Sequence, residues 1–269
     1  MSSRVSALAE TILAADARAQ RRVMLCAVAI AATVTACAAY VGLFDLRRMA
    51  EGPSAVAVLA REMWPPDFSE ARSWARPLLD TFAMSVAGTA VAIVLSIPLA
   101  AFAAHNVTPS RIAWHVARSL LNALRAVPEL ILGIVLVAAV GFGALPGVLA
   151  LGLHSAGMVG KFFAEAIEHA ERAPIEAARA AGASPAQVVT HGILPQVLPR
   201  LADTAVYRWE YNFRSSLVLG MVGAGGIGTE LVGSLRVMQY RSVLAILLVI
   251  LLLVTAVDAL SSWLRRRFA

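Results

Sequence analysis

Arg208, Glu210, Asn212, Arg214, Ser215 and Ser216 crowd into a short stretch of a chain that is otherwise largely apolar. A charge at the centre of a membrane-spanning helix costs ~2.5–3.5 kcal/mol on insertion scales, so such groups pair with one another or face a water-filled path. Arg208 to Asn212 and Glu210 to Arg214 are i, i+4 steps, so a helical segment here has an internal ion pair available. Two chemistries fit this pattern. Arg214 and Ser215 could line a pathway and pass an oxyanion along it, with Glu210 and Asn212 beside them. The same groups could instead make a structural Glu210–Arg214 pair and hydrogen bonds between helices. His154 reads in the same two ways, as a ligand contact or as a hydrogen-bonded packing histidine. Glu129, Lys161, Glu165 and Asp258 fall near expected membrane boundaries, where a structural role is the simpler reading.

Other patterns associated with chemistry do not hold up. His105, His115, His154, His169 and His191 are scattered without metal-ligand spacing, and no Ser/His/Asp arrangement stands out. Gly223-x-Gly225-x-x-Gly228 satisfies the dinucleotide fingerprint, but it follows an apolar span instead of a strand. It reads better as a helix-breaking turn. Gly160–Lys161 lacks the upstream glycine of a phosphate-binding loop, so any ATPase must be a separate chain.

The elements that carry these residues follow from composition. Of the 269 residues 59% are hydrophobic and 15% charged, with a mean hydropathy of +0.74. A soluble domain carries about a quarter charged residues. Several apolar runs approach the ~20 residues needed to cross a bilayer core of ~30 Å. The expected class is an all-α polytopic membrane protein with about six transmembrane helices. The net charge of +6 is spread through short loops, with no basic stripe interleaved with aromatics, which argues against nucleic acid. Cys26 and Cys37 share the first apolar run but stand too far apart on one helix to bridge.

Spans are predicted at 23–44, 81–104, 127–141, 145–163, 204–222 and 242–264, with Pro98 expected to kink the second. A tight turn at 143–147 should join the third and fourth. The segment 108–125 is amphipathic and is expected on the membrane surface or on a partner. Residues 45–79 form a mixed-charge loop long enough for a short helix. With both termini inside, arginines divide roughly two to one in favour of the cytoplasm. That orientation puts the polar loop 165–201 in the cytoplasm.

This loop is the second informative stretch. Glu171 to Ala181 reads as a short helix with Pro174 in its first turn and Gly182 at its C-terminal cap. Ser184–Pro185 then opens a second helix that should run to a break at Pro195. Ala177, Ala178, Ala180 and Ala181 offer a smooth surface for docking on a soluble partner.

The sequence EAARAAG followed by VVTHGILP resembles the EAA loop of ABC-importer permeases, E-A-A-x3-G-x9-I-x-L-P. Glu176, Ala177, Ala178, Gly182, Leu194 and Pro195 match in register, while Gly192 replaces the usual isoleucine. Residues 122–168 and 207–231 are similar to permeases of the phosphonate-uptake kind. The resemblance runs from about residue 78 to the C-terminus. It implies a type I importer fold like the methionine-importer permease, with a permease core at 78–269 and a distinct segment at 1–77. It further implies a homodimer in the bacterial inner membrane, cytoplasmic ATP-binding subunits that hold the ATP and magnesium, and an extracytoplasmic substrate-binding protein. Glu176–Pro195 would be the coupling loop. The chain itself would be no enzyme and bind no cofactor. Phosphonate is the first cargo this suggests. Phosphite, hypophosphite and phosphate follow, with a methionine-type cargo more distant. A secondary transporter is disfavoured by the EAA loop and by the absence of an inverted repeat.

Overall fold

The computed structural model describes residues 2–108 and 110–268, and every regular element among them is helical. The chain divides into two compact units, Met1–Glu62 and Met63–Ala269. In the first, α1 runs over Ser2–Tyr40, and its stretch Ala19–Tyr40 is long and apolar enough to cross a bilayer. It stops at a Gly42 turn with φ +79°, where Leu43 N–H reaches back to the Ala38 carbonyl. The expected mixed-charge loop contains α2, Leu46–Met63, an 18-residue helix through Pro53.

In the second unit, α3 (Ala75–Ala103) passes unbroken through Pro98. The amphipathic segment becomes α4 (Arg111–Ala126), which opens on Ser110, whose hydroxyl accepts the Ala113 N–H. α5 (Glu129–Val140) has only 12 residues. At 1.5 Å per residue that is about 18 Å, too short to cross a bilayer alone. The predicted third span is therefore one arm of a pair, α4 and α5, bent by 84° at Val127–Pro128. Pro128 explains the break, since the residue before a proline is pushed out of the helical region. The turn into α6 (Ala144–Glu168) lies at Gly141–Gly143, earlier than expected, and Gly147 sits inside α6 against Met84 and Ala224.

After α7 (Arg172–Ala180) and the short α8 (Pro185–Gln187), the chain does not break at Pro195. A wide π turn, Val188–Ile193, carries it directly into α9 (Leu194–Leu219). Pro195 lies at the start of α9, where a helix can do without an amide hydrogen. A second π turn, Gly220–Ala224, and a kink at Gly223 end this rod before α10 (Ile227–Arg236), which is inclined at 56° to it. α11 (Tyr240–Phe268) closes the chain. α3, α6 and α11 are each long enough to span, and the bent pairs around α5 and α9 complete the spanning set.

The segment before α3 belongs to this second unit, so its edge falls well before the expected 77/78 boundary. Trp74 is buried with Ile227, Ala245 and Ile246, and Arg241 Nε donates to the Pro65 carbonyl at 2.9 Å. Meanwhile α4 turns its apolar face into the same unit, where Ala117 and Leu121 pack with Ala100, Ala103 and Phe163. Gly157 permits that approach, because a Cβ there would lie 2.7 Å from both the Arg125 nitrogen and the Leu121 carbonyl oxygen. Backbone cannot rotate aside as a side chain does. Gly157→Ala should cost about 1–3 kcal/mol through overpacking. It should lower the thermal unfolding midpoint of the purified permease in detergent. Gly233→Ala, with nothing within 4 Å of the added carbon, should leave it unchanged.

Candidate functional site

The loop between α6 and α9 is mounted rigidly. α7 ends in a Schellman turn: Gly182, at φ +80°, donates to the Arg179 carbonyl and Ala183 N–H donates to the Ala178 carbonyl. Ser184 and Gln187 then form a reciprocal capping box that starts the next helix. Gln196 Oε1 accepts the Glu171 N–H at 2.9 Å, tying the loop's entry to the base of α9. Beneath, Ile175 packs with Ala166, Val188, Ile193 and Val197. Gly192, the departure from the family pattern, stands 3.4 Å from Ile175 Cα when given a Cβ, so the helices meet closely there. What remains outward is Glu176, Ala177, Arg179, Ala180, Ala181 and Gly182, with Ala178 half-buried and Leu194 and Pro195 exposed.

The second cluster surrounds α9. Asn212 is completely buried: Ser155 on α6 donates to its Oδ1 at 2.8 Å, and its Nδ2 donates to Thr89 on α3 at 2.9 Å. Thr89 in turn donates to the Ser85 carbonyl at 2.7 Å. Ser155 Oγ also accepts Arg208 Nε at 2.8 Å, and the Arg208 guanidinium lies 4.2 Å from the centre of the Tyr211 ring.

Two further faces of α9 carry charge. Toward α11, Arg214 donates to Glu210 at 2.9 Å and to Asp258 at 2.8 Å. Glu210 Oε2 accepts from Ser261 at 2.6 Å and from Arg265 at 3.1 Å. Toward α5, Ser215 and Tyr211 both donate to Glu129 Oε1, at 2.9 and 3.1 Å. His154 stands with Nε2 3.2 Å from Glu129 Oε2 and Nδ1 2.9 Å from the Val127 carbonyl. That carbonyl is left without a helical partner by the break before Pro128.

The structure therefore brings His154 and Ser215 together at Glu129, but sends Glu210 and Arg214 to a different neighbour and Asn212 to a third. The i, i+4 pair Glu210–Arg214 is formed and extended by Asp258, Ser261 and Arg265. Their spacing of three and four along α11 was a legible signal, since it defines one helical face. Glu129 carries more contacts than a boundary carboxylate would suggest. The hydroxyls that receive α9, Ser85 and Thr89, also stand four apart. The Gly-rich run is a helix-breaking turn, with positive φ at Gly223, Gly225 and Gly226, and Ile227 N–H donates to Thr81 at 2.9 Å. Asn212→Ala should cost about 1–3 kcal/mol, because buried hydroxyls on α3 and α6 lose their partner. Thermal unfolding in detergent would register it as a lower midpoint, with membrane insertion retained.

A family model described as binding-protein-dependent transport system inner membrane component matches residues 96–269. The phosphite transport system permease protein PtxC of Stutzerimonas stutzeri is 67% identical over 229 residues, covering 85% of this chain and 83% of its own. The phosphate-import permease protein PhnE of Mycolicibacterium smegmatis is 40% identical over 216 residues, 80% of this chain and 41% of that one. Among solved structures, the inward-facing MetNI methionine ABC transporter aligns with a TM-score of 0.61 at 23% identity, over 73% of this chain and 96% of its own. That likeness concerns the fold, and it is the type I importer fold expected from the sequence. The family match over most of the chain, with a relative this similar, places the protein among the binding-protein-dependent transport system inner membrane components, the permease subunits of ABC importers.

Proposed function

We propose that this permease imports a small phosphorus oxyanion, with phosphite the first candidate and phosphonate and phosphate next. The observation that carries the reading is the 67% identity over 229 residues to a permease named for phosphite transport. The sequence resemblance put phosphonate first, and phosphite was among its alternatives. Cargo would come from an extracytoplasmic binding protein, and energy from ATP-binding subunits on the cytoplasmic side.

In this reading Glu176, Ala177, Ala178, Gly182, Leu194 and Pro195 form the coupling loop. Small side chains on a loop braced by Gln196 and the Ile175 cluster suit it to fill a groove and to transmit force into α9 without a flexible joint. Two copies of the chain would enclose the pathway, with both termini cytoplasmic as the arginine bias suggests. Ser215 and His154, gathered at Glu129, are the earlier pathway candidates that share one face.

Proteoliposomes holding the permease with its ATP-binding subunit, supplied with binding protein and ATP, should accumulate radiolabelled phosphite against a gradient. Accumulation of phosphonate alone would move the cargo, and uptake without ATP would discard the importer reading in favour of a secondary carrier. Gly182→Val puts a β-branched residue at φ +80°, a conformation costing L-residues about 1–2 kcal/mol. Uptake and stimulated ATPase should fall about tenfold, since 1.4 kcal/mol is a factor of ten. Normal transport by that variant would remove the loop from the coupling role.

A further inference from the structure

Arg208 is a buried cation that forms no ion pair among the described residues. It is 5% exposed, and among the described residues no carboxylate lies within ion-pair distance of it. Its one hydrogen bond uses Nε, to Ser155 at 2.8 Å, and Tyr211 stacks against the guanidinium at 4.2 Å. Both terminal nitrogens are left without a hydrogen-bond partner. They are not sealed in either: the fully enclosed unpartnered side-chain atoms among the described residues are Thr108 Oγ1 and Trp114 Nε1. Arg214 is the contrast, since it is shared between Glu210 and Asp258.

Glu129, the carboxylate whose charge acts on Arg208, is engaged by other partners. Glu129 accepts hydrogen bonds from Tyr211 and Ser215, and its second oxygen faces His154 Nε2 at 3.2 Å. His154 Nδ1 faces a carbonyl, which only accepts, so Nδ1 carries hydrogen. Glu129 is thus engaged by Tyr211, Ser215 and His154, and among the described residues no carboxylate oxygen lies within ion-pair distance of Arg208. Arg208 stands fourteen residues beyond Leu194, about 21 Å along the rod and near the middle of α9.

We infer that Arg208, oriented by Ser155 and Tyr211, is the permease's own recognition group for a tetrahedral phosphorus oxyanion in transit. The two free terminal nitrogens of a guanidinium match two oxygens of such an anion, which a lysine point charge cannot do. The inference rests on the proposed oxyanion cargo. It adds that the membrane subunit holds a specific site, so selection does not end with the binding protein.

The test is equilibrium binding of radiolabelled phosphite to the purified permease–ATPase complex without binding protein, beside ATP-driven uptake by the same preparation in proteoliposomes. The wild-type complex should bind phosphite saturably. Arg208→Gln should bind at least tenfold more weakly, and Arg208→Lys at least threefold more weakly. Arg236→Gln, exposed on α10, should stay within twofold. Should the glutamine variant fail to assemble, the lysine variant, which keeps the charge, decides. Equal binding by Arg208→Lys or Arg208→Gln and the wild type would overturn the site. Wild-type uptake without saturable binding would overturn the site and leave the cargo reading standing. Neither uptake nor binding of phosphite, phosphate or phosphonate would remove both.

Discussion

One buried amide holds the membrane core of this protein together. Asn212 is inaccessible to solvent and joins α9 to α6 through Ser155 and to α3 through Thr89. In a bilayer there is no hydrophobic driving force between helices, because lipid tails are as apolar as leucine, and small residues and interhelical hydrogen bonds do the joining. The packing around Asn212 fits that requirement. α3 and α6 meet across Gly88 and Gly152, whose missing Cβ atoms leave room for Leu151 and Val91. Each polar atom of the Asn212 node is satisfied, so the cost of burying it is met within the fold.

From that node the charges of α9 sort by direction. One helix face serves α11, where Asp258, Ser261 and Arg265 close on Glu210 and Arg214. Another serves α5, where Glu129 is the acceptor for Tyr211 and Ser215. Arg208 faces α6 and keeps its terminal nitrogens free. The same helix thus locks to its neighbours with most of its polar groups and leaves the terminal nitrogens of Arg208 without a hydrogen-bond partner among the described residues.

The end of the bundle that carries the α6–α9 loop is built on the same capping of orphaned groups. Glu168, at the end of α6, accepts the His105 N–H at 2.9 Å and Arg118 at 2.8 Å, while Arg118 Nε donates to the Ala103 carbonyl at 3.0 Å. These bonds fasten the ends of α3 and α6 to α4, beside the loop between α6 and α9. The π turn at Val188–Ile193 then lets the loop feed α9 without a hinge. The loop is thereby continuous with the helix that carries Asn212 and Arg208.

The sequence by itself determined the class, the main spans and the caps and turns of the loop between α6 and α9. Apolar runs of spanning length follow from the need to bury backbone in hydrocarbon, and the spacing of Glu176, Gly182 and Pro195 is a local matter of caps and turns. Its errors were also local. Pro195 reads as a break because proline lacks an amide hydrogen, yet a π turn just before it absorbs that loss. The run 127–141 reads as a span because composition does not register the 84° bend at Val127–Pro128. The partners of the charged side chains were decided by the tertiary structure alone. Glu210 and Arg214 are close in sequence, but Asp258, Ser261, Glu129 and Ser155 come from helices whose rotation about their axes is set by packing against one another. That Arg208 forms no ion pair among the described residues is visible only when the neighbours of each face are known.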